Sequence, residues 1–396
     1  MPRFPQFANR LRSIQGSVFE KYRHRMQALG NELVRLHIGD TYLPPAYLLP
    51  IQEAFKQTYP VWNRYCNTFG VGKLRSTLAT KLQEDNQLPV TENHVLVTSG
   101  ATNALSVTVN SLINPGEAVL TLTPCWPFFM GMVKMAGGKV IELPFYDRLH
   151  TPELSSITAY LETAITEEVV AIYVNSPNNP SGVVLSSSQL AEIAKVAKRH
   201  RLWIISDEAY DGLTFPPHDH ISIATQENVF EQTISIFTFS KIFMFAGLRL
   251  GYLAATPEAI IEFNKTLVHQ LYSPSTFAQY MMLEPLQTRH QWMPEIRQHY
   301  QSLRDLMLKH LQISLPTPGG TYFLFFSLEP YLQGRSFDAI FETLLNKGVS
   351  VAPGIDFGSH YRQFIRICFT GEPPQRLVLA AERINQVLLD SDENAN

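Results

Sequence analysis

Short apolar runs alternate with longer amphipathic stretches through the middle of the chain. Seven runs are rich in Val, Ile and Leu, as expected for strands that are covered on both faces. The runs are His94–Thr98, Ala118–Leu122, Lys139–Leu143, Val169–Val174, Leu202–Ser206, Thr233–Thr238 and Gly251–Ala255. Between two of them, Ser187–Arg199 has its apolar residues at the spacing of one helical face.

This alternation predicts an α/β fold with a mostly parallel seven-stranded sheet flanked by helices. In such sheets, ligands bind beyond the carboxyl ends of the strands. The residues that directly follow the apolar runs are therefore the first candidates for chemistry.

After about residue 285 the pattern changes to that of a smaller α+β domain. Its predicted segments are a long polar helix Met293–Leu311, an apolar run Thr321–Leu328, a helix Ser336–Lys347 and an apolar run Phe364–Phe369. We expect the N-terminal segment to pack with it. The predicted division is a large domain over 46–284 and a small domain formed by 1–45 and 285–396.

Composition excludes several classes of protein. The 396 residues are 45% hydrophobic and 17% charged, with a net charge of -3, which predicts a globular chain that grips neither nucleic acid nor a membrane surface. The three cysteines are far apart and lack CxxC spacing, which argues against a disulfide framework or a zinc site and favours a reducing cytoplasm. The basic N-terminus is interpreted as an arm and a first helix, not as a targeting segment.

Lys241 follows the apolar run Thr233–Thr238 almost directly. Desolvation at such a position lowers a lysine pKa, which frees the amine to attack an aldehyde. Arg249 comes eight residues later, between Gly247 and Gly251, which let a backbone pass close to a ligand. From these residues alone, a surface lysine and a structural arginine are an equal alternative.

Asp207 ends another apolar run, and Tyr210 follows three residues later. A carboxylate at the end of a buried strand points into the crevice, where it could hold a positively charged ring nitrogen. The alternative is a helix N-cap, since aspartate is favoured there.

Two further junctions also follow apolar runs. The loop Asn175–Gly182 contains two prolines and amides that can donate to an oxygen, although an ordinary turn would look the same. The junction Thr98–Leu105 places small residues at a helix start, where free backbone N–H groups can bind a phosphate. Neither a Walker A sequence nor a GxGxxG fingerprint is present.

Together and in this order, the four segments resemble the class I/II aminotransferases of fold type I, the aspartate-aminotransferase-like enzymes. The resemblance extends from Ile38-Gly39-Asp40 to Phe364-Ile365-Arg366-Ile367. It implies a pyridoxal 5'-phosphate (PLP) enzyme that transfers an amino group from an amino acid to a 2-oxo acid, without a metal, in a homodimer with shared active sites.

The resemblance also implies roles around the cofactor ring. Lys241 matches the Schiff-base lysine, which also moves the proton, and Asp207 matches the aspartate that keeps the pyridine nitrogen protonated. Tyr210 and Asn179 match the pair that binds the phenolic oxygen. Trp126 matches the aromatic residue that stacks on the ring, with a plain core aromatic as the alternative.

The remaining roles lie at the two ends of the site. The residues that match the phosphate-binding group are Ala101, Thr102, Thr238, Ser240 and Arg249. Tyr65 matches a tyrosine that reaches the phosphate of the partner subunit, and a tyrosine buried in its own subunit is the alternative. Arg366 matches the arginine that binds the substrate α-carboxylate, with Gly39 and Asn179 in the same pocket. The alternative for Arg366 is a surface ion pair.

The same constellation serves other reactions on this fold, including C–S β-lyases, cyclopropane-forming synthases and decarboxylases. Its main residues do not separate these reactions, so a C–S β-lyase is kept as the alternative function. A non-catalytic PLP-fold module is a different class, but the chain has no helix-turn-helix extension and no basic stripe. A nucleotide-dependent enzyme would need the missing glycine fingerprint.

Overall fold

The computed structural model describes residues 7–14, 16, 21–45, 62–149, 151 and 154–389. The strands in these residues are β1 (Val34–Arg35), β2 (Val95–Thr98), β3 (Ala118–Thr123), β4 (Lys139–Pro144), β5 (Val169–Asn175), β6 (Trp203–Asp207), β7 (Thr233–Thr238), β8 (Gly251–Ala254), β9 (Phe323–Ser327), β10 (Val349–Ser350), β11 (Ala352–Pro353) and β12 (Phe364–Cys368). The α-helices are α1 (Arg23–Leu29), α2 (Gly72–Asn86), α3 (Gly100–Leu112), α4 (Pro127–Met135), α5 (Ile157–Glu162), α6 (Ser187–Arg199), α7 (Pro257–Leu271), α8 (Thr276–Met281), α9 (Leu283–Gln287), α10 (Arg289–His310), α11 (Phe337–Asn346) and α12 (Pro374–Leu389).

The central sheet has seven strands in the order β2-β8-β7-β6-β5-β3-β4. Strands β3 to β7 are parallel to their neighbours among themselves, whereas β8 runs antiparallel to both β2 and β7. Each strand begins and ends within one residue of its predicted run. The prediction of a mostly parallel seven-stranded sheet is confirmed.

Both faces of the sheet are buried, which explains the continuous apolar runs. On one face, Ile172 of β5 packs in a cluster with Leu190 and Ile193 of α6. On the other face, Tyr173 of the same strand lies in a cluster with residues of α3, α4 and α7. Alternate residues of one strand thus reach opposite layers of helices.

The C-terminal part contains a three-stranded antiparallel sheet in the order β11-β12-β9. The N-terminal segment joins it, because β1 pairs in parallel with β10 and Tyr42 N donates to Thr370 O at 2.8 Å. The predicted boundary at residue 285 falls within α9. The division into two domains stays a prediction.

The helices and the cysteines can be compared with what the composition predicts. Among the described helices, none combines the length and the apolar character needed to cross a membrane. Cys66, Cys125 and Cys368 are all free thiols, and the latter two are buried.

Candidate active site

A cavity of about 160 Å³ lies at the carboxyl edge of the central sheet. Asn175, Asp207 and Thr238, the last residues of β5, β6 and β7, all line it. The other lining residues are Ala101, Thr102, Leu105, Trp126, Asn179, Ala209, Tyr210, Ser240, Lys241, Ala246 and Arg249. The structure therefore brings all the residues predicted to bind the cofactor into one place, with the exception of Tyr65.

Lys241 points its amine across the cavity toward the N-terminal segment. Its Nζ donates to Gly39 O at 2.7 Å and lies 5.5 Å from the centroid of the Tyr210 ring. Burial is the main cause that lowers the pKa of Lys241 to about 8. A large share of the amine is therefore neutral near pH 8, which a surface lysine would not show.

Asp207 is a buried carboxylate with two hydrogen-bond donors. Tyr173 Oη donates to its Oδ2 at 2.7 Å, and Ala209 N donates to its Oδ1 at 3.2 Å. Burial raises its pKa to about 6, and these two donors oppose that shift. The helix N-cap alternative is wrong, because the residues after Asp207 form a turn and not a helix.

Tyr210 and Asn179 present polar groups beside Lys241. Tyr210 is 3% exposed, and its hydroxyl has no partner among the described residues. Asn179 accepts a hydrogen bond from Arg366 Nη1 on its Oδ1 at 3.0 Å, and its backbone N donates to Asn175 Oδ1 at 2.7 Å. A buried hydroxyl without a partner is costly, so a ligand atom in the cavity would satisfy it.

At one end of the cavity, Arg249 lies over the start of α3. Gly100 has a φ of +80°, and a Cβ there would come within 2.9 Å of Arg249 Nη2, so glycine permits this close approach. Ser240 Oγ accepts from Thr238 Oγ1 at 2.9 Å and lies 3.5 Å from Arg249 Nη1. A guanidinium, hydroxyls and a helix N-terminus together form an anion site.

At the other end, a larger cleft of about 660 Å³ contains Arg366, Gly39 and Asn179. The guanidinium of Arg366 lies 4.2 Å from the centroid of the Phe323 ring and 4.9 Å from that of Phe357. Arg366 is 7% exposed, and within the described part of the chain it makes no ion pair and its Nε has no hydrogen-bond partner. The surface ion-pair alternative is therefore wrong.

A hydrogen bond to the backbone also holds the Arg366 side chain in place. Its Nη2 donates to His37 O at 2.6 Å. Gly39 is required nearby, since a Cβ at that position would come within 2.6 Å of Phe323 Cζ. The cleft thus offers a preorganised cation with unused N–H groups to a carboxylate.

The two remaining aromatic predictions have different outcomes. Trp126 is half-buried and lines both the cavity and the larger cleft, so it is not a plain core residue. Tyr65 is 82% exposed, packs edge-on against Tyr272 and lines neither space. Its predicted role in a partner's site stays a prediction, and the alternative of burial in its own subunit is wrong.

Sequence reasoning missed several residues of the site. Asn175 begins a loop that the sequence singled out, but it was given no role of its own; it lines the cavity and donates to Asp207 O at 2.8 Å. Tyr173 carries no such signal, because it lies inside a strand pattern and resembles any core aromatic. Phe323 and Phe357 are brought to Arg366 only by tertiary packing.

Outside this site, Glu84, Asp85 and His290 form an exposed group whose ligand atoms lie within 4.8 Å of one another. Arg289 already donates to both carboxylates, at 2.6 Å and 2.7 Å. The group is an ion-pair cluster, and nothing in it points to a metal.

Comparison with known proteins identifies the family. Residues 33–384 match the model of the family described as aminotransferase class I and II. The chain belongs to this family. The predictions of the family, of the fold and of a transferase enzyme are confirmed.

Aminotransferases of known sequence and structure resemble most of the chain. The chain is 34% identical to an aspartate aminotransferase of Pyrococcus abyssi over 374 residues. This match covers 90% of the chain and 92% of the relative. The chain is 32% identical to an aromatic-amino-acid aminotransferase of Thermococcus litoralis, over 82% of this chain and 84% of the relative. An aspartate aminotransferase structure from Thermus thermophilus, a double mutant, superposes with a TM-score of 0.86 at 28% identity, covering 97% of this chain and 100% of that one.

Aminotransferases of this family depend on PLP, and the residues of the cavity fit this cofactor. The anion site at Arg249 suits a phosphate, and the Lys241 amine suits an aldehyde. Asp207 offers a buried carboxylate to a ring nitrogen. The unpartnered hydroxyl of Tyr210 is the group that most clearly calls for a ligand oxygen.

Proposed function

We propose that this aminotransferase binds PLP in the cavity and moves an amino group from an amino acid to a 2-oxo acid. The observation that carries the proposal is that Lys241, Asp207, Tyr210 and Arg249 line one cavity at the carboxyl edge of the sheet. The names of the relatives from Pyrococcus abyssi and Thermococcus litoralis support transamination. No observation favours a C–S β-lyase.

In this proposal the cofactor is held at three points. Arg249, Ser240, Thr238 and the first turn of α3, with Ala101 and Thr102, bind its phosphate. Asp207 binds the ring nitrogen, and Trp126 covers the ring. Tyr210 Oη and the amide of Asn179 donate to the phenolic oxygen.

When bound, PLP supplies an electron sink for negative charge that develops at the substrate α-carbon. Lys241 Nζ would hold the cofactor, and its free amine would carry a proton from the α-carbon. A pKa of about 8 suits this work, because the amine exchanges its proton readily near neutral pH. The bond from Nζ to Gly39 O aims the amine before the substrate binds.

Arg366 binds the substrate α-carboxylate beside Gly39 and Asn179 in this proposal. The rings of Phe323 and Phe357 keep water from its guanidinium, which strengthens a charge-assisted contact. The carboxylate would thereby be fixed while Lys241 works at the adjacent α-carbon.

Reduction with borohydride tests the assignment of Lys241. We expect borohydride to fix the cofactor to Lys241 in the wild type and to no residue in the Lys241→Ala variant, with peptide mass spectrometry as the readout. The variant should unfold at the same temperature as the wild type, and its kcat should fall by several orders of magnitude. Labelling at another lysine would overturn the assignment.

A half-reaction screen tests the reaction type. The holoenzyme is mixed with single amino acids, and conversion of the cofactor to pyridoxamine phosphate is followed by absorbance. Transamination predicts this conversion with at least one amino acid. Release of ammonia and a sulfur product from cysteine-like substrates, without conversion, would support the β-lyase instead.

We further propose a homodimer in which Tyr65 reaches the phosphate of the partner subunit. Its 82% exposure supports a role outside its own subunit. Mixing an inactive Tyr65 variant with an inactive Lys241 variant tests this. Activity should return to about a quarter of the wild-type value, because roughly half the dimers are mixed and half their sites are intact. No recovery despite proven subunit exchange would contradict the proposal.

The domain division at 46–284 and the cytoplasmic location also stay proposals. The free cysteines support a reducing compartment. The pairing of β1 with β10 supports the grouping of the N-terminal and C-terminal segments.

A further inference from the structure

Tyr173 is a buried tyrosine that contacts Asp207 from outside the cavity. Its Oη donates to Asp207 Oδ2 at 2.7 Å. Asp207 lines the cavity, whereas Tyr173 does not. The carboxylate therefore faces the ligand space, while a tyrosine hydroxyl outside that space donates the shorter of its two hydrogen bonds.

The sheet and the helical layer both fix this hydroxyl. In the parallel pairing of β5 and β6, Asn175 lies opposite Asp207 and Tyr173 lies two residues earlier, on the same face. The ring of Tyr173 stacks on Phe129 of α4, with centroids 3.7 Å apart and an interplanar angle of 15°. A tyrosine held on both sides has little freedom to withdraw its hydroxyl from Asp207.

The electrostatics make Tyr173 the donor in its hydrogen bond to Asp207. Burial and the charge of Asp207 raise the pKa of Tyr173 well above its usual value, so the hydroxyl keeps its proton. A donated hydrogen bond favours the charged form of a carboxylate, which opposes the effect of burial on Asp207. The titratable groups around Asp207 are Cys125, Tyr146, Tyr173, Glu208, Tyr210 and Lys241.

Two of these neighbours act on Asp207 in opposite directions. The charge of Glu208 raises the pKa of Asp207, and that of Lys241 lowers it. Glu208 is itself bound by Ser206 and His220, at 3.0 Å and 2.8 Å. Within the part of the chain that the structure describes, Tyr173 is the neighbour whose side chain hydrogen-bonds the carboxylate.

We propose that Tyr173 is a positioning residue that holds Asp207 ionised and so keeps a shared proton on the cofactor's ring nitrogen. The inference rests on the role proposed for Asp207. The proton can reside on the nitrogen, which leaves a positive ring and a negative Asp207, or on Oδ of Asp207, which leaves both neutral. The hydrogen bond from Tyr173 Oη stabilises the first arrangement.

Tyr173→Phe removes the hydroxyl and keeps the ring that stacks on Phe129. Tyr361→Phe is the matched control, because Tyr361 is also buried and its Oη donates to Asp147 Oδ1 at 2.7 Å, away from both spaces. In cofactor-free protein, carbon NMR follows the titration of the Asp207 carboxyl, assigned by its loss in Asp207→Asn. We expect the midpoint to rise by about one pH unit or more in Tyr173→Phe and to stay unchanged in the control.

In holoenzyme, PLP labelled with ¹⁵N in the ring reports where the proton lies. The wild type and the control should show a protonated nitrogen, and Tyr173→Phe should shift toward the unprotonated signal. If Tyr173→Phe does not fold, fluorotyrosine at position 173 provides a second test. Its more acidic hydroxyl is a stronger donor and should move the Asp207 midpoint downward.

The outcomes separate the inference from the proposed function. An unchanged Asp207 midpoint in Tyr173→Phe, or a moved midpoint with an unchanged ¹⁵N signal, would overturn the inference. A wild-type ¹⁵N signal in Asp207→Asn would instead overturn the role proposed for Asp207 itself.

Discussion

The two arginines at the ends of the site differ in how they meet an anion. Arg249 is exposed and shares its end with two hydroxyls and the start of α3. Arg366 is 7% exposed and lies between two aromatic rings, with no ion pair in the described chain. The groups that could bind an anion are thus distributed over several residues at one end and concentrated in one side chain at the other.

The difference matches the two proposed tasks. A cofactor phosphate stays bound through many turnovers, so several moderate contacts can hold it. A substrate carboxylate must bind and leave in each turnover, and its position relative to Lys241 decides the rate. A single desolvated cation with planar geometry suits this second task.

The largest effect is expected at the Arg366 end, where one side chain is available to an anion. Arg366→Lys keeps the charge but loses the planar fork. The loss of transition-state stabilisation should be on the order of 2–4 kcal/mol, and kcat/KM for amino acids should fall accordingly. Steady-state kinetics measure this, and simple amines without a carboxylate should be little affected. Arg335→Lys is the control, since Arg335 binds backbone oxygens of Val387 and Tyr331 away from the site. Equal losses for amino acids and amines would contradict the role.

A smaller effect is expected at the Arg249 end, where several groups are available to an anion. Arg249→Lys should weaken PLP binding by roughly tenfold, because the hydroxyls and the helix start remain. Equilibrium binding of PLP to cofactor-free protein measures it, and kcat at saturating PLP should stay near the wild-type value. The exposed pair of Arg199 with Glu162 supplies a control in Arg199→Lys. A loss as large as that of Arg366→Lys in kcat/KM would break the comparison.

The smallest effect concerns the lysine between the two ends. The charges of Arg366 and Arg249 both lower the pKa of Lys241, after burial, and that of Arg366 does so more strongly. In cofactor-free protein, reductive methylation of Lys241 should rise with pH and level off above about 8, since only the neutral amine reacts. An ordinary lysine would continue to gain reactivity toward pH 10.

Replacing either cation sharpens this test. Arg366→Met removes a positive charge, so the Lys241 ammonium becomes easier to hold and the midpoint should move upward. Arg249→Met should move it upward by less. Mass spectrometry of the modified peptide gives the midpoints, and a downward movement in either variant would contradict the electrostatic account.

The sequence by itself determined the central sheet and most of the cofactor end. The strands are short buried runs, so each is visible locally, and the seven predicted runs agree with the structure to within one residue. Asp207 and Thr238 end their strands, and Ser240 and Lys241 follow within three residues of Thr238. Parallel strands bring such ends to one edge, which makes their convergence predictable.

The resemblance named Arg366, Gly39 and Asn179, but only the tertiary structure decided the contacts at the substrate end and around Asp207. Gly39 O and Lys241 Nζ meet across 202 positions, and Arg366 reaches His37 O across 329. The first contact depends on how the N-terminal segment packs against the end of the central sheet, and the second on how that segment packs against β12, which no local pattern encodes. Tyr173 shows the same limit at short range, because the period of a strand gives the face of a residue and not the atom its hydroxyl will reach.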